Sequence, residues 1–245
     1  MIKVLWVSAS PSLKYFHCRL LNNLSKVVEI EFWEYYQTLD EGSSIDGAIE
    51  LLQEYLSQSD APLHLIGHGI GGVIALGYAR KYPTKVTSLT LLSVAVQPAI
   101  DWHSYYYDRL QSLPCDRNQI LRSIAIDLFP GICSTHIQDL AERLERDLVE
   151  APSDLSLFRL NILPECGVEM PLMICGSQED PVITSPAFYG WNSYFKSSDR
   201  ICHISTGGHF FHHFHSELVS YQIQQFWQKL EPELMLYQLA RAEFN

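Results

Sequence analysis

The sequence predicts an α/β fold with a mostly parallel central sheet flanked by helices, and three observations carry that prediction. Apolar runs alternate with amphipathic segments through residues 1–95, the pattern of βαβ units. Three short turns each follow directly on a predicted strand: Gly67-His68-Gly69-Ile70-Gly71-Gly72, Gly176-Ser177-Gln178-Glu179-Asp180 and Gly207-Gly208-His209-Phe210. The 245 residues are 47% hydrophobic and 18% charged, a composition that supports one substantial core with room for an insertion.

Ile2–Ser8 reads as the first strand and Lys26–Tyr35 as the second, with Val27, Val28, Ile30 and Phe32 giving it β-branched and aromatic weight. Ser44–Leu56 reads as a helix, because Ile45, Ile49, Leu52 and Leu56 fall on one face. Ser43 and Asp46 are spaced as a cap at its start. Leu63–Ile66 is the third strand, Ile70–Lys81 a helix and Val86–Ala95 the fourth strand. The alternation then stops. Gln97–Met170 holds helix-like stretches and loops, among them Asn118–Leu128 and Ile137–Leu148, the latter with an apolar stripe of Ile137, Leu140, Leu144 and Leu148. Strand character returns at Pro171–Cys175 and Arg200–Ile204, and a helix is predicted over Phe211–Leu230. The expected division is a core of residues 1–97 and 171–245 and an inserted helical lid of residues 98–170.

A net charge of −11 argues against nucleic acid and anionic membrane surfaces as partners, and no apolar run is long enough to span a bilayer. The first residues enter a strand with no signal-peptide pattern, so the expected location is cytoplasmic. Cys18, Cys115, Cys133, Cys166, Cys175 and Cys202 form no CxxC pair; they read as free, mostly buried thiols, without a structural zinc site.

Strand, tight glycine turn and helix is the order of the nucleophile elbow, G-x-S-x-G. Gly67, Gly69 and Gly71 fill its fixed positions, so the point that should carry Ser, Cys or Asp carries only a hydrogen. Glycine is at ease in the positive-φ backbone that an elbow imposes. The alternative is a phosphate-cradling loop, since Gly67, Gly69 and Gly72 also match G-x-G-x-x-G. The next strand, however, ends in Ser93-Val94-Ala95 with no acidic residue to hold a ribose.

With these three turns in this order, the chain resembles the α/β-hydrolase superfamily, in particular its lid-bearing esterase, proline iminopeptidase and haloperoxidase-like branch. The resemblance implies an α/β-hydrolase fold and a triad with Asp180 as acid, His209 as base and Gly69 where the nucleophile belongs. It also implies an oxyanion hole formed by the Ile70 amide and one from Ala9 or Ser10, although the family's usual H-G is replaced here by Ser8-Ala9-Ser10-Pro11. His68, Trp102 and Tyr106 are the candidate pocket residues. The expected function is a pseudo-hydrolase that binds a small apolar molecule or a protein partner beneath its lid, without cofactor or metal. The competing reading is an active ester or C–C bond hydrolase or lyase. It would use the Asp180–His209 dyad with an activated water, with a substitute nucleophile such as Ser10, Ser177 or His68, or with His209 abstracting a proton. His209 and His213 are spaced as possible metal ligands, but no H-E-x-x-H motif or third ligand accompanies them.

Overall fold

The computed structural model describes residues 3–36, 44–58, 61–152 and 165–242, with the backbone alone for 231–242. Among the described residues, six strands form one sheet: β1 (Lys3–Ser8), β2 (Glu29–Glu34), β3 (Leu63–His68), β4 (Val86–Leu92), β5 (Leu172–Ser177) and β6 (Arg200–Ile204). Their order is β2-β1-β3-β4-β5-β6 and every pairing is parallel. Helices therefore make the crossovers, and both faces of the sheet are covered. Side chains of β1 alternate accordingly. Leu5 and Val7 join the core beneath α2 (Ile45–Leu56) and α3 (Gly69–Lys81), while Val4 and Trp6 join the core on the opposite face.

That second face is closed by α1 (Cys18–Leu24), which follows a 3₁₀ segment over Pro11–His17, and by the C-terminal helix. Neither the 3₁₀ segment nor α1 was expected from the sequence. Their signal is Leu13, Phe16, Leu20 and Leu24, all buried at helical spacing. The end of α1 also takes residues assigned to the second strand, because Val27 N and Val28 N both donate to Leu24 O. At α2 the cap is Ser44, whose Oγ accepts from Gly47 N at 3.0 Å; Ser43 lies outside the described residues. The fourth strand stops at Leu92 because Ser93 adopts φ +50°, a left-handed backbone.

Among the described residues, three α-helices lie between β4 and β5: α4 (Trp102–Ser112), α5 (Arg117–Leu128) and α6 (Ile137–Glu150). Asp101 and Asp116 each cap the following helix with a reciprocal capping box. A short α7 (Ser185–Tyr189) precedes β6. The expected continuous C-terminal helix is broken. α8 (Phe211–Phe214) ends at His215, whose φ and ψ of −115° and 38° are not helical, and α9 (Ser216–Ala242) begins anew. The thiols also depart from expectation: Cys175 and Cys202 are buried, Cys166 is intermediate, and Cys18, Cys115 and Cys133 are exposed.

Candidate active site

The turn from β3 into α3 is as tight as its glycines allow. A Cβ on Gly67 would stand 2.6 Å from Gly72 Cα, and one on Gly71 would collide with the carbonyl of Val7. Both glycines are therefore required by the close approach of helix to strand. Gly69 differs. Its φ is +50°, and a Cβ there would meet only His209 Nε2, at 3.7 Å. The elbow backbone is intact, and the space for a side chain at its point opens toward the histidine.

His209 lies on the turn after β6, and Asp180 on the turn after β5. Imidazole Nδ1 is 3.1 and 3.0 Å from the two oxygens of Asp180. A carboxylate can only accept, so Nδ1 carries the proton and Nε2 presents its lone pair. Asp180 Oδ1 also accepts from Val182 N (2.9 Å) and Ile183 N (3.1 Å). Burial pushes the Asp180 carboxyl up, but the His209 imidazole and the two amides outweigh it and hold it below the ordinary carboxylate value. His209 is 1% exposed, and its Nε2 is buried with no hydrogen-bond partner among the described residues.

The backbone of His209 is clamped from below. Its carbonyl accepts from Ser93 Oγ (2.9 Å) and from His68 Nε2 (3.0 Å). Ser93, the one non-glycine residue at positive φ among the described residues, thus uses its strained backbone to aim its hydroxyl at the histidine turn. His68 caps α3, with its ring directed behind the elbow onto His212 and His17.

From above, the segment after α5 sits tightly on the same turn. A Cβ on Gly208 would lie 2.5 Å from Pro130 Cδ and 2.8 Å from Leu128 O. Phe129 stacks on Phe210 with ring centres 4.3 Å apart and 11° between planes. The described helices between β4 and β5 are anchored by Asp147 of α6, which is fully buried. It accepts from Trp102 Nε1 at 2.9 Å, lies 3.4 Å from His103 Nε2, and accepts from Ser12 Oγ at 3.3 Å. Asp101, at the start of α4, faces both His103 and His209; burial raises its carboxyl against those two imidazoles and its capping bonds.

The structure therefore brings together Gly69, Asp180 and His209, with Ile70 (2% exposed), the second residue of α3, following Gly69. The Ile70 amide is in the first turn of the helix, where backbone N–H groups lack intrahelical acceptors. Ser10 lies at the start of the 3₁₀ segment after β1 and is half-buried. Ser177 is committed locally, its Oγ accepting from Glu179 N at 3.2 Å. Trp102 and Tyr106 are buried in the main core, the former tied to Asp147. His213 is within α8 and His209 before it, so the two do not share a helix. Sequence reasoning missed the roles of Ser93, Asp101, Asp147, His17 and His212; Ser93, Asp147, His17 and His212 meet partners far along the chain, while Asp101, whose spacing to Ser104 marks a cap, faces His209 only in the fold.

The profile of the alpha/beta hydrolase fold family matches residues 56–146, the elbow and the first part of the insertion. The chain is 46% identical over 227 residues to protein alr2406 of Nostoc sp., covering 93% of this chain and 91% of that protein. It is 36% identical to protein sll0249 of Synechocystis sp., with the same two coverages. Among solved structures, a thermophilic esterase from Thermogutta terrifontis superposes with a TM-score of 0.66 at 16% identity, over 94% of this chain and 90% of that one. Sheet order, elbow and profile agree: this chain belongs to the α/β-hydrolase superfamily.

Proposed function

We propose that this protein is a pseudo-hydrolase: a member of the superfamily that keeps the triad's acid and base but has lost covalent acyl transfer at one atom. Residues 98–170 act as a lid over a core formed by 1–97 and 171–245. A small, largely apolar ligand binds beneath that lid against His209. The observation that carries the reading is the pairing of an elbow backbone at φ +50° bearing no side chain with a buried, unpartnered His209 Nε2 directed at it. Loss of the serine from a related triad costs on the order of 10⁶ in kcat, about 8 kcal/mol, so efficient acyl transfer is not expected here.

The dyad also specifies part of the ligand. With Nδ1–H directed at Asp180, Nε2 accepts a hydrogen bond, so the bound group presents an O–H or N–H. An acceptor on the same ligand would face the Ile70 amide and the positive end of α3. A second reading rests on the same unpartnered nitrogen: a water at the point of the elbow, activated by His209, hydrolyses an activated ester without an acyl-enzyme. Purified protein and His209→Ala, assayed side by side with p-nitrophenyl acetate and in a thermal-shift screen of small alcohols, phenols and amides, separate the two. The pseudo-hydrolase reading expects equal, background ester turnover and ligand shifts that need His209. Wild-type turnover abolished by His209→Ala would replace it with the second reading.

A further inference from the structure

Behind the elbow, on the face of the sheet covered by α1 and α9, three imidazoles converge from three separate segments. His17 ends the 3₁₀ segment, His68 ends β3 and His212 lies in α8; they are 3%, 9% and 0% exposed. One ring nitrogen of each lies within 4.8 Å of the other two. His17 Nδ1 and His212 Nε2 are 2.9 Å apart, with their rings stacked at 5.2 Å. The His68 ring centre is 4.5 Å from that of His212 and 5.4 Å from that of His17.

Hydrogen-bond accounting leaves this cluster short of partners. Three neutral imidazoles bring three N–H donors and three lone pairs. One donor and one lone pair meet between His17 and His212, and His68 Nε2–H donates to the His209 carbonyl. His212 Nδ1 is buried with no partner among the described residues.

We propose that His17, His68 and His212 form a three-imidazole site for a late first-row transition-metal ion, Zn²⁺, with a fourth position for water. Zn–N bonds of about 2.0–2.1 Å in a tetrahedral site set ligand nitrogens roughly 3.3–3.4 Å apart. The separations here, from 2.9 Å to within 4.8 Å, bracket that value, so small ring rotations convert the cluster into the site. All-nitrogen donors disfavour the oxygen-seeking Ca²⁺ and Mg²⁺, and the absence of thiolate from the set disfavours Cu(I). With the ion bound, each ring carries its single proton on the nitrogen turned away from it, so whichever of His17 and His212 now supplies the proton between them changes tautomer. For His68 that proton is Nε2–H on the His209 carbonyl, the outer-sphere bond that orients a metal-binding histidine. No proton has to leave. An ion here would tie the segment after β1, the elbow and the His209 turn to one another, whether or not the dyad hydrolyses anything.

The test is Zn²⁺ binding to chelator-stripped protein, measured by competition with a chromophoric chelator, together with the visible spectrum of Co²⁺ in the same site. The expected result is one Zn²⁺ per chain with sub-micromolar affinity and a Tm raised by about 5–10 °C at a free ion concentration 100-fold above Kd. His17→Gln and His212→Gln should each weaken binding at least 100-fold, while His136→Gln, at an exposed histidine, should leave it unchanged. Should the core variants fail to fold, Co²⁺ bound to the wild type decides: intense tetrahedral bands with paramagnetically shifted ring signals from His17, His68 and His212 are expected. Binding weaker than about 10 µM, binding that survives both core substitutions, or shifted signals from surface histidines alone would overturn the site.

Discussion

Gly69→Ser returns a hydroxyl to the point of the elbow, and the structure sets the size of the effect. A Cβ at this position lies 3.7 Å from His209 Nε2 with no other heavy atom nearby, so a serine Oγ one bond further on reaches hydrogen-bonding distance. A side chain at φ +50° costs about 1–2 kcal/mol. Giving the buried Nε2 a donor returns about 1–3 kcal/mol. The two nearly offset, the net running from a loss of about 1 to a gain of about 2 kcal/mol, so at about 2–4 °C per kcal/mol for a domain of this size the variant should melt between about 4 °C below and about 8 °C above the parent. Its chemistry should change far more. Loss of serine from a related triad removes about 10⁶ in kcat. With the family's H-G loop replaced by Ser8-Ala9-Ser10-Pro11, only part of that is regained. A His209-dependent rise of at least about 100-fold in p-nitrophenyl acetate hydrolysis over the parent is the expected floor. A folded Gly69→Ser protein within that melting window that shows no such gain would refute the assignment of position 69 as the nucleophile point.

His64 is buried beside Trp227, with Nδ1 2.7 Å from Ser88 Oγ, and burial lowers its pKa from 6.5 to about 4. Above pH 6.5 it is neutral folded and unfolded; below that value only the unfolded chain takes up the proton, so stability falls by about 1.4 kcal/mol per pH unit until about pH 4. Urea midpoints from pH 7.5 to 4.5 should therefore drop more steeply in the wild type than in His64→Gln, and parallel curves would contradict this. Asp147→Ala should destabilise by about 2–4 kcal/mol, because it strands the Trp102 indole N–H, the Ser12 hydroxyl and the His103 ring that meet at one buried carboxylate. Chemical denaturation reads this directly, and a loss below about 1 kcal/mol would show that the insertion is not anchored there.

What the sequence made legible was whatever is encoded locally. The parallel sheet followed from alternating runs, and Arg200–Ile204 and the helix of α5 were placed within a residue or so, because period and flanking turns mark them. Gly69, Asp180 and His209 were singled out because each lies on a short turn with its own signature. Residues whose role exists only in three dimensions were silent. Ser93 reads as the end of a strand, and only its φ of +50° and its bond to the His209 carbonyl reveal a clamp. Asp147 reads as one more acidic residue on an amphipathic helix until Trp102 and His103, more than forty positions earlier, close on it. The C-terminal break at His215 was hidden because the apolar pattern runs straight through it, while the backbone there leaves the helical region.

The central claim, that the dyad stands ready while the reactive atom is gone, is tested most directly by labelling the intact protein with a fluorophosphonate and locating any adduct by mass spectrometry. The account predicts no stoichiometric adduct on the wild type, and a single adduct at position 69 of Gly69→Ser that disappears with His209→Ala. A stoichiometric, His209-dependent adduct on any residue of the wild-type chain would contradict it, since the nucleophile would then have moved rather than been lost.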